Sequence, residues 1–320
     1  LLGLHLPPQK LTRMLKKVSV VGIISSVVFA AVGYLVGWLF GFNSVDCCFV
    51  AAAMMFSSTI IGIKLLPTTI LHHQHTGEVM ISILLFQDVI AILVLLSIRA
   101  VTAGGVLLND IGIVLVGFPL VLLLAFLIER YILMWLFRKF SRIKEYMFLV
   151  AIAWCLCVAE LAVALGLSDE IGAFIAGVSL AASPISVYIA ESLKPVRDFF
   201  LVMFFFSVGA TFNLNYLSVV IVPALVLSLG LFVLKPLVYR ILLSYVGESR
   251  DVAWEVGARL GQVSEFSLII ATMGFTSGLL SAQGTYLIQA TTIISFVISS
   301  YLIVMKFPTP VSLSDKLRRD

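Results

Sequence analysis

Residues 54–62, MMFSSTIIG, set Ser57, Ser58 and Thr59 in succession inside an apolar run from 45 to 65 that is long enough to cross a bilayer. Hydroxyls in the middle of a membrane helix allow the backbone to unwind, provided the freed groups face a cavity or another helix. A second interruption lies at 257–268, GARLGQVSEFSL, where Gly257, Gly261, Gln262, Ser264 and Glu265 break the apolar run 252–274. Taken singly, either stretch could serve only to let helices pack closely. Their paired placement favours two broken helices, whose exposed backbone dipole ends can face an ion near the midplane.

The rest of the chain supplies the frame for these two runs. Hydrophobic residues make up 61% of the 320 and charged residues 12%, and mean hydropathy is +1.13. A soluble domain is roughly 45 to 50% apolar, so a polytopic membrane protein is indicated. Ten spans are expected, at 18–40, 45–65, 78–99, 111–129, 145–166, 169–183, 197–211, 215–243, 252–274 and 284–306. The sixth and seventh are short and bounded near Pro184 and Pro195.

Orientation follows from Lys and Arg. Alternate loops from Lys10 to Arg319 collect eighteen of them, and the opposite set holds only Arg99. This bias places both ends of the chain in the cytoplasm. The triplet 18–99 then starts from the inside and the triplet 215–306 from the outside, each with an interrupted middle helix. That pattern is the signature of an inverted repeat. The chain opens on Leu1, and LLGLHL reads as the inner end of an incoming helix, so at least one helix is expected upstream; VSLSDKLRRD (311–320) reads as a cytoplasmic exit.

Three charges lie well inside apolar runs: Asp88, Lys235 and Glu265. Each costs at least ~2.5 to 3.5 kcal/mol near the midplane, which points to ion or proton handling. Asp88 sits halfway along ISILLFQDVIAILVLL (81–96), with Leu84, Leu85, Ala91 and Ile92 as helical neighbours. It is the first candidate for a carboxylate that exchanges a proton for a cation; the alternative is a structural carboxylate at a broken helix. Gln87 can offer a carbonyl oxygen to a cation or cross-link helices. Lys235, in GLFVLKPLVYR (230–240), precedes Pro236, which weakens a helix at that point. Its ammonium can pair with Asp88 or rest on a helix end. Glu265 reads either as a cavity carboxylate or as a partner of Arg259. Glu160, in CVAELAVAL (157–165), is assigned to packing or an interface.

Other features carry less. Cys47, Cys48, Cys155 and Cys157 fit neither a zinc site nor a disulfide framework and read as small core residues. His72, His73 and His75 read as a solvated loop rather than a metal site. No hydrolase elbow, zinc-protease pair or phosphate loop is present, and the scattered basic residues do not suggest nucleic acid.

LLGLHLPPQKL, SSTIIGIKLLP, LLFQDVIAILVLL, EIGAFIAGVSLAASP, FFLVMFFFSVGATFNL, the Lys235 helix and LGQVSEFSLII follow one another along the chain. In that order they resemble the membrane domain of Kef-type potassium:proton antiporters, within the second monovalent cation:proton antiporter family. The resemblance implies an all-α sodium:proton antiporter-type fold of thirteen helices with two crossed discontinuous helices, of which this chain lacks roughly the first two and most of the third. It further implies core helices at 18–100 and 213–306, a linker helix at 101–144, dimerisation helices at 145–212, and flanking cytoplasmic segments at 1–17 and 307–320. Asp88 becomes the residue that binds cation or proton, assisted by Gln87, Ser57, Ser58 and Thr59, with Lys235, Glu265, Arg259 and Gln262 as core charge and polar partners.

The function so implied is exchange of a monovalent cation, K+ ahead of Na+, for a proton by alternating access, one for one because Gln87 does not titrate. A ligand-gated K+ efflux channel and an organic-anion symporter on similar scaffolds are the alternatives. No resident cofactor or metal is expected, and nucleotide belongs only to a regulatory domain or subunit outside this chain. Lipid and a second copy of the chain are the expected partners, in a bacterial inner membrane. Two departures stand out: the family's GxGSEF reads GQVSEF here, and Arg259 is an added charge.

Overall fold

The computed structural model describes residues 8–64, 75–102, 107–140, 144–165, 167, 169–181, 183, 185–307 and 309. These residues are overwhelmingly helical. In order the α-helices are α1 (Pro8–Leu39), α2 (Ser44–Met54), α3 (Thr59–Lys64), α4 (His75–Thr102), α5 (Leu107–Ile128), α6 (Met134–Phe140), α7 (Lys144–Ala164), α8 (Asp169–Ala181), α9 (Ser186–Thr211), α10 (Leu217–Tyr245), α11 (Arg250–Arg259), α12 (Phe266–Thr276) and α13 (Ala282–Lys306).

Both expected interruptions are present. The first separates α2 from α3, and the second separates α11 from α12. Six described stretches are long and apolar enough to cross a membrane: Val18–Leu39, His75–Leu95, Val116–Phe140, Glu145–Ala164, Leu214–Tyr245 and Ala282–Lys306. The other four expected spans fall short for identifiable reasons. Two are the broken helices, whose halves are short, and α8 has only 13 residues. The fourth, α9, carries Glu191, Lys194, Arg197 and Asp198 in its first half.

Three boundaries differ from expectation. α9 begins at Ser186 and runs through Pro195 instead of starting at 197. Its first turns are held in part by side chains: Lys194 pairs with Glu191 at 2.5 Å and Arg197 with Asp198 at 2.9 Å. α5 does not stop near 129 but continues through a π-turn, Glu129–Leu133, into α6. α10 stays continuous through Pro223 and Pro236, where a weakened helix was expected at Lys235. α11 packs directly on it there, a Cβ at Gly257 falling 2.8 Å from the Pro236 Cα. The cysteines also depart from a core reading: Cys47 is buried, but Cys48 and Cys157 are exposed and Cys155 is intermediate.

Two compact units result, one comprising Met14–Val94 and Phe212–Asp320, the other Leu1–Arg13 and Leu95–Thr211. In the second unit α7 packs on α8 so closely that a Cβ at Gly172 would lie 2.5 Å from the Ala159 backbone. Trp154 fixes the same contact, its indole N–H reaching the Ala176 carbonyl and the Ser179 hydroxyl. Glu160 lies on the exposed side of α7.

The first unit contains both interruptions. α10 packs against α11 and α13, and α2 packs against α12 and α13. Caps set the starts of the broken helices: Asn43 accepts from the Asp46 N–H at 2.7 Å, and Ser249 accepts from the Val252 N–H at 3.3 Å. Gly247, at φ +92, makes the turn between α10 and α11 in a conformation that side chains other than glycine resist. Buried Asp46 then ties α2 to α13, accepting from the Ser281 N–H at 2.9 Å and from the Ser281 hydroxyl.

α11 meets α10 backbone to backbone. A Cβ at Gly257 would lie 2.8 Å from the Pro236 Cα and 2.9 Å from its carbonyl oxygen. Backbone atoms cannot turn aside as a flexible side chain can. Gly257→Ala should therefore destabilise the protein by about 1 to 3 kcal/mol, read as a lowered melting temperature in detergent. An unchanged melting temperature would contradict the close packing.

Candidate functional site

Unwinding a buried helix frees backbone donors and acceptors, and each must find a partner. At the first break the Phe56 carbonyl accepts from the Lys235 ammonium at 2.7 Å, and the Ser57 N–H donates to Gln87 Oε1 at 3.2 Å. The Ser58 carbonyl accepts from Gln262 Nε2 at 3.3 Å, while the Ser58 hydroxyl accepts from the Ile61 N–H and so caps α3. At the second break the Leu260 carbonyl accepts from the Ser57 hydroxyl at 2.9 Å, and the Gln262 carbonyl accepts from Lys235 at 2.8 Å. Ser295 accepts from the Val263 N–H, and Ser264 from the Phe266 N–H at the start of α12. The two gaps therefore close on one another, each supplying a side chain to the other's backbone.

Lys235 is the hub of this arrangement. It is fully buried, and its third donor reaches the Ser57 hydroxyl at 3.3 Å. Three donors thus match the three hydrogens of an ammonium. Both carbonyls lie just past the C-terminal ends of α2 and α11, where the helix dipole is negative. Among the described residues, Lys235 forms no ion pair with Asp88. The Phe29 ring lies 5.1 Å from its nitrogen.

Asp88 projects from α4 to the first break and is 2% exposed. The Thr59 hydroxyl, at the start of α3, sits 3.3 Å from Oδ1 and 3.4 Å from Oδ2. Glu265, immediately before α12, is also buried. The structure brings together Ser57, Ser58, Thr59, Gln87, Asp88, Lys235 and Gln262 through these bonds. Arg259 pairs with Glu255, one turn back, at 2.9 Å, and its guanidinium lies 5.2 Å from the Phe307 ring. That pair sits at the C-terminal end of α11.

Several participants were not legible beforehand. Tyr239 is fully buried, receives a hydrogen bond from Gln87 Nε2 at 2.9 Å and meets Phe29 edge-on at 5.6 Å. Its signal was its position four residues after Lys235, on the same helix face. The hydroxyls of Ser267, Ser295 and Ser299 brace the second break, Ser267 on the Ala53 carbonyl and Ser299 on Gln262 Oε1. His72 and His73 lie outside the described residues. His75, at the start of α4, is 2.6 Å from Glu248.

Two broken helices meet around a buried lysine, with a buried carboxylate on α4 beside them. A family model, the sodium/hydrogen exchanger transmembrane domain, matches residues 1–306. The chain belongs to this family. With six helices long enough to cross a bilayer, this exchanger-family chain is an integral, multi-pass membrane protein. The resemblance to Kef-type antiporter domains holds as well. K(+) efflux antiporter 6 of Arabidopsis thaliana is 28% identical over 99% of this chain and 54% of its own length. Putative K(+) efflux antiporter KefB of Alkalimonas amylolytica is 27% identical over 83% of this chain and 41% of its own. Iron transporter MagA of Paramagnetospirillum magneticum is 29% identical over 83% and 60%. The chain spans about half the length of the curated relatives it matches.

Proposed function

We propose that the protein exchanges a monovalent cation, K+ ahead of Na+, for a proton across the membrane, with Asp88 holding one or the other in turn. The observation that carries this reading is the buried Asp88 carboxylate, bridged by Thr59 at the gap between α2 and α3. A carboxylate in that setting has two ways to lose its charge penalty: take a proton or take a cation. Such mutual exclusion at one group couples the two fluxes. The K(+) efflux antiporter names of two relatives support the choice of cation.

Alternating access completes the proposal. The unit holding both broken helices carries the site, and the helices at 145–212 supply the scaffold and the surface for a second copy of the chain. Lys235 remains with the carbonyls at the gap, so the travelling charge is balanced at Asp88. Because Gln87 does not titrate, the exchange is one for one and electroneutral. Transport, rather than chemistry on a bound substrate, is the task these residues suit.

The test is proton movement in proteoliposomes loaded with a pH-sensitive dye. Adding K+ outside should drive protons, with Na+ giving less, and clamping the membrane potential should leave the rate unchanged. Ferrous iron belongs in the panel because one relative is named for iron. Cation currents without proton movement would instead favour a channel.

A further inference from the structure

Gln87 stands beside the proposed exchange residue, and its carboxamide has a fixed orientation. The Ser57 N–H can only donate, so the atom facing it at 3.2 Å is Oε1; the Met55 carbonyl can only accept, so the atom facing it at 3.4 Å is Nε2. The second Nε2 hydrogen goes to the Tyr239 hydroxyl at 2.9 Å. Gln87 thus spans the first break, satisfying one donor and one acceptor that unwinding leaves exposed. Its oxygen is turned toward the backbone at Ser57.

Tyr239 holds the other end of this strap. Its ring is fully buried and fixed edge-on against Phe29. Residues 55–59 are therefore clamped to α4 beside Asp88. Thr59 reaches both Asp88 oxygens from the end of that clamped segment.

We infer that Tyr239 and Gln87 are positioning residues, which fix the gap so that Thr59 stays on Asp88, and that Gln87 does not ligate the transported cation. This rests on the antiporter reading above. Tyr239 acts through Gln87, and its loss should weaken cation binding at Asp88 while leaving the conformational step largely intact. The two possible roles of Gln87 predict opposite signs for Gln87→Glu. A ligand would gain negative charge and bind the cation more tightly. A strap would instead turn a carboxylate oxygen onto the Met55 carbonyl and lose its grip.

The experiment is K+-driven proton exchange in proteoliposomes, comparing KM and kcat for the unmodified protein, Tyr239→Phe and Gln87→Glu. Tyr239→Phe keeps the ring packing and removes one hydrogen bond; KM for K+ should rise about fivefold, with kcat within about twofold. Gln87→Glu should also raise KM. An unchanged KM in Tyr239→Phe, or a lowered KM in Gln87→Glu, would overturn the inference. If Gln87→Glu does not fold, Tyr239→Phe decides alone, supported by K+-dependent thermal stabilisation of the purified proteins, which should weaken in the variant. Absence of exchange by the unmodified protein would defeat the antiporter reading itself, a distinguishable result.

Discussion

Asp88→Asn should reduce cation-driven proton exchange to the background of protein-free vesicles and leave the protein at least as stable as before. The carboxamide has nearly the same shape, and its oxygen can still accept from Thr59, which lies 3.3 Å from Asp88 Oδ1. What it cannot do is carry a proton or neutralise a cation. Removing a buried ionisable group also relieves a desolvation penalty, so a neutral or raised melting temperature is expected. Loss of activity without loss of fold separates a transport role from a structural one. Should Asp88 be a structural carboxylate instead, the variant would melt lower and retain exchange in proportion to the folded fraction.

Lys235→Met should have the largest effect on stability. The ammonium saturates the Phe56 and Gln262 carbonyls, one from each broken helix, at 2.7 and 2.8 Å. Methionine fills most of the space but donates nothing, leaving two buried acceptors unpaired at about 1 to 3 kcal/mol each. A loss of about 2 to 5 kcal/mol is expected, read as a drop in melting temperature in detergent. Lys235→Gln retains donors without the charge and should lose less than half as much. If Lys235 were chiefly a counter-ion for Asp88, the two variants would be equally affected, because both remove the charge. Equal losses would therefore contradict the cross-linking role.

The sequence alone disclosed more of the fold than of the site's wiring, and the reason is physical. Ser57-Ser58-Thr59 and Gly261-Gln262 interrupt apolar runs, so the positions of both gaps followed from polarity. Asp88 and Lys235 stood out because a charge inside an apolar run is conspicuous. Hydrogen-bond partners gave no such signal. Lys235 bonds to backbone carbonyls, which every residue possesses, and residues 56 and 262 are 179 and 27 positions away. Tyr239 looked like one more aromatic in an apolar helix, yet its hydroxyl reaches 152 residues along the chain.

Arg259 also has a partner that its sequence reading did not name, Glu255 one turn back on its own helix. Proline misled in one place. Pro236 and Pro195 both sit inside continuous helices, because in a packed bundle neighbouring segments compensate for a missing hydrogen bond that an isolated helix could not replace.

Competition between proton and cation at a single carboxylate can be measured without vesicles. Adding K+ to the purified protein in weakly buffered detergent should release a single proton per chain, with saturation at the same K+ concentration that stabilises the fold, and Asp88→Asn should release none. Binding of K+ with no proton released from the unmodified protein, or undiminished release from Asp88→Asn, would contradict the proposal that Asp88 carries one or the other.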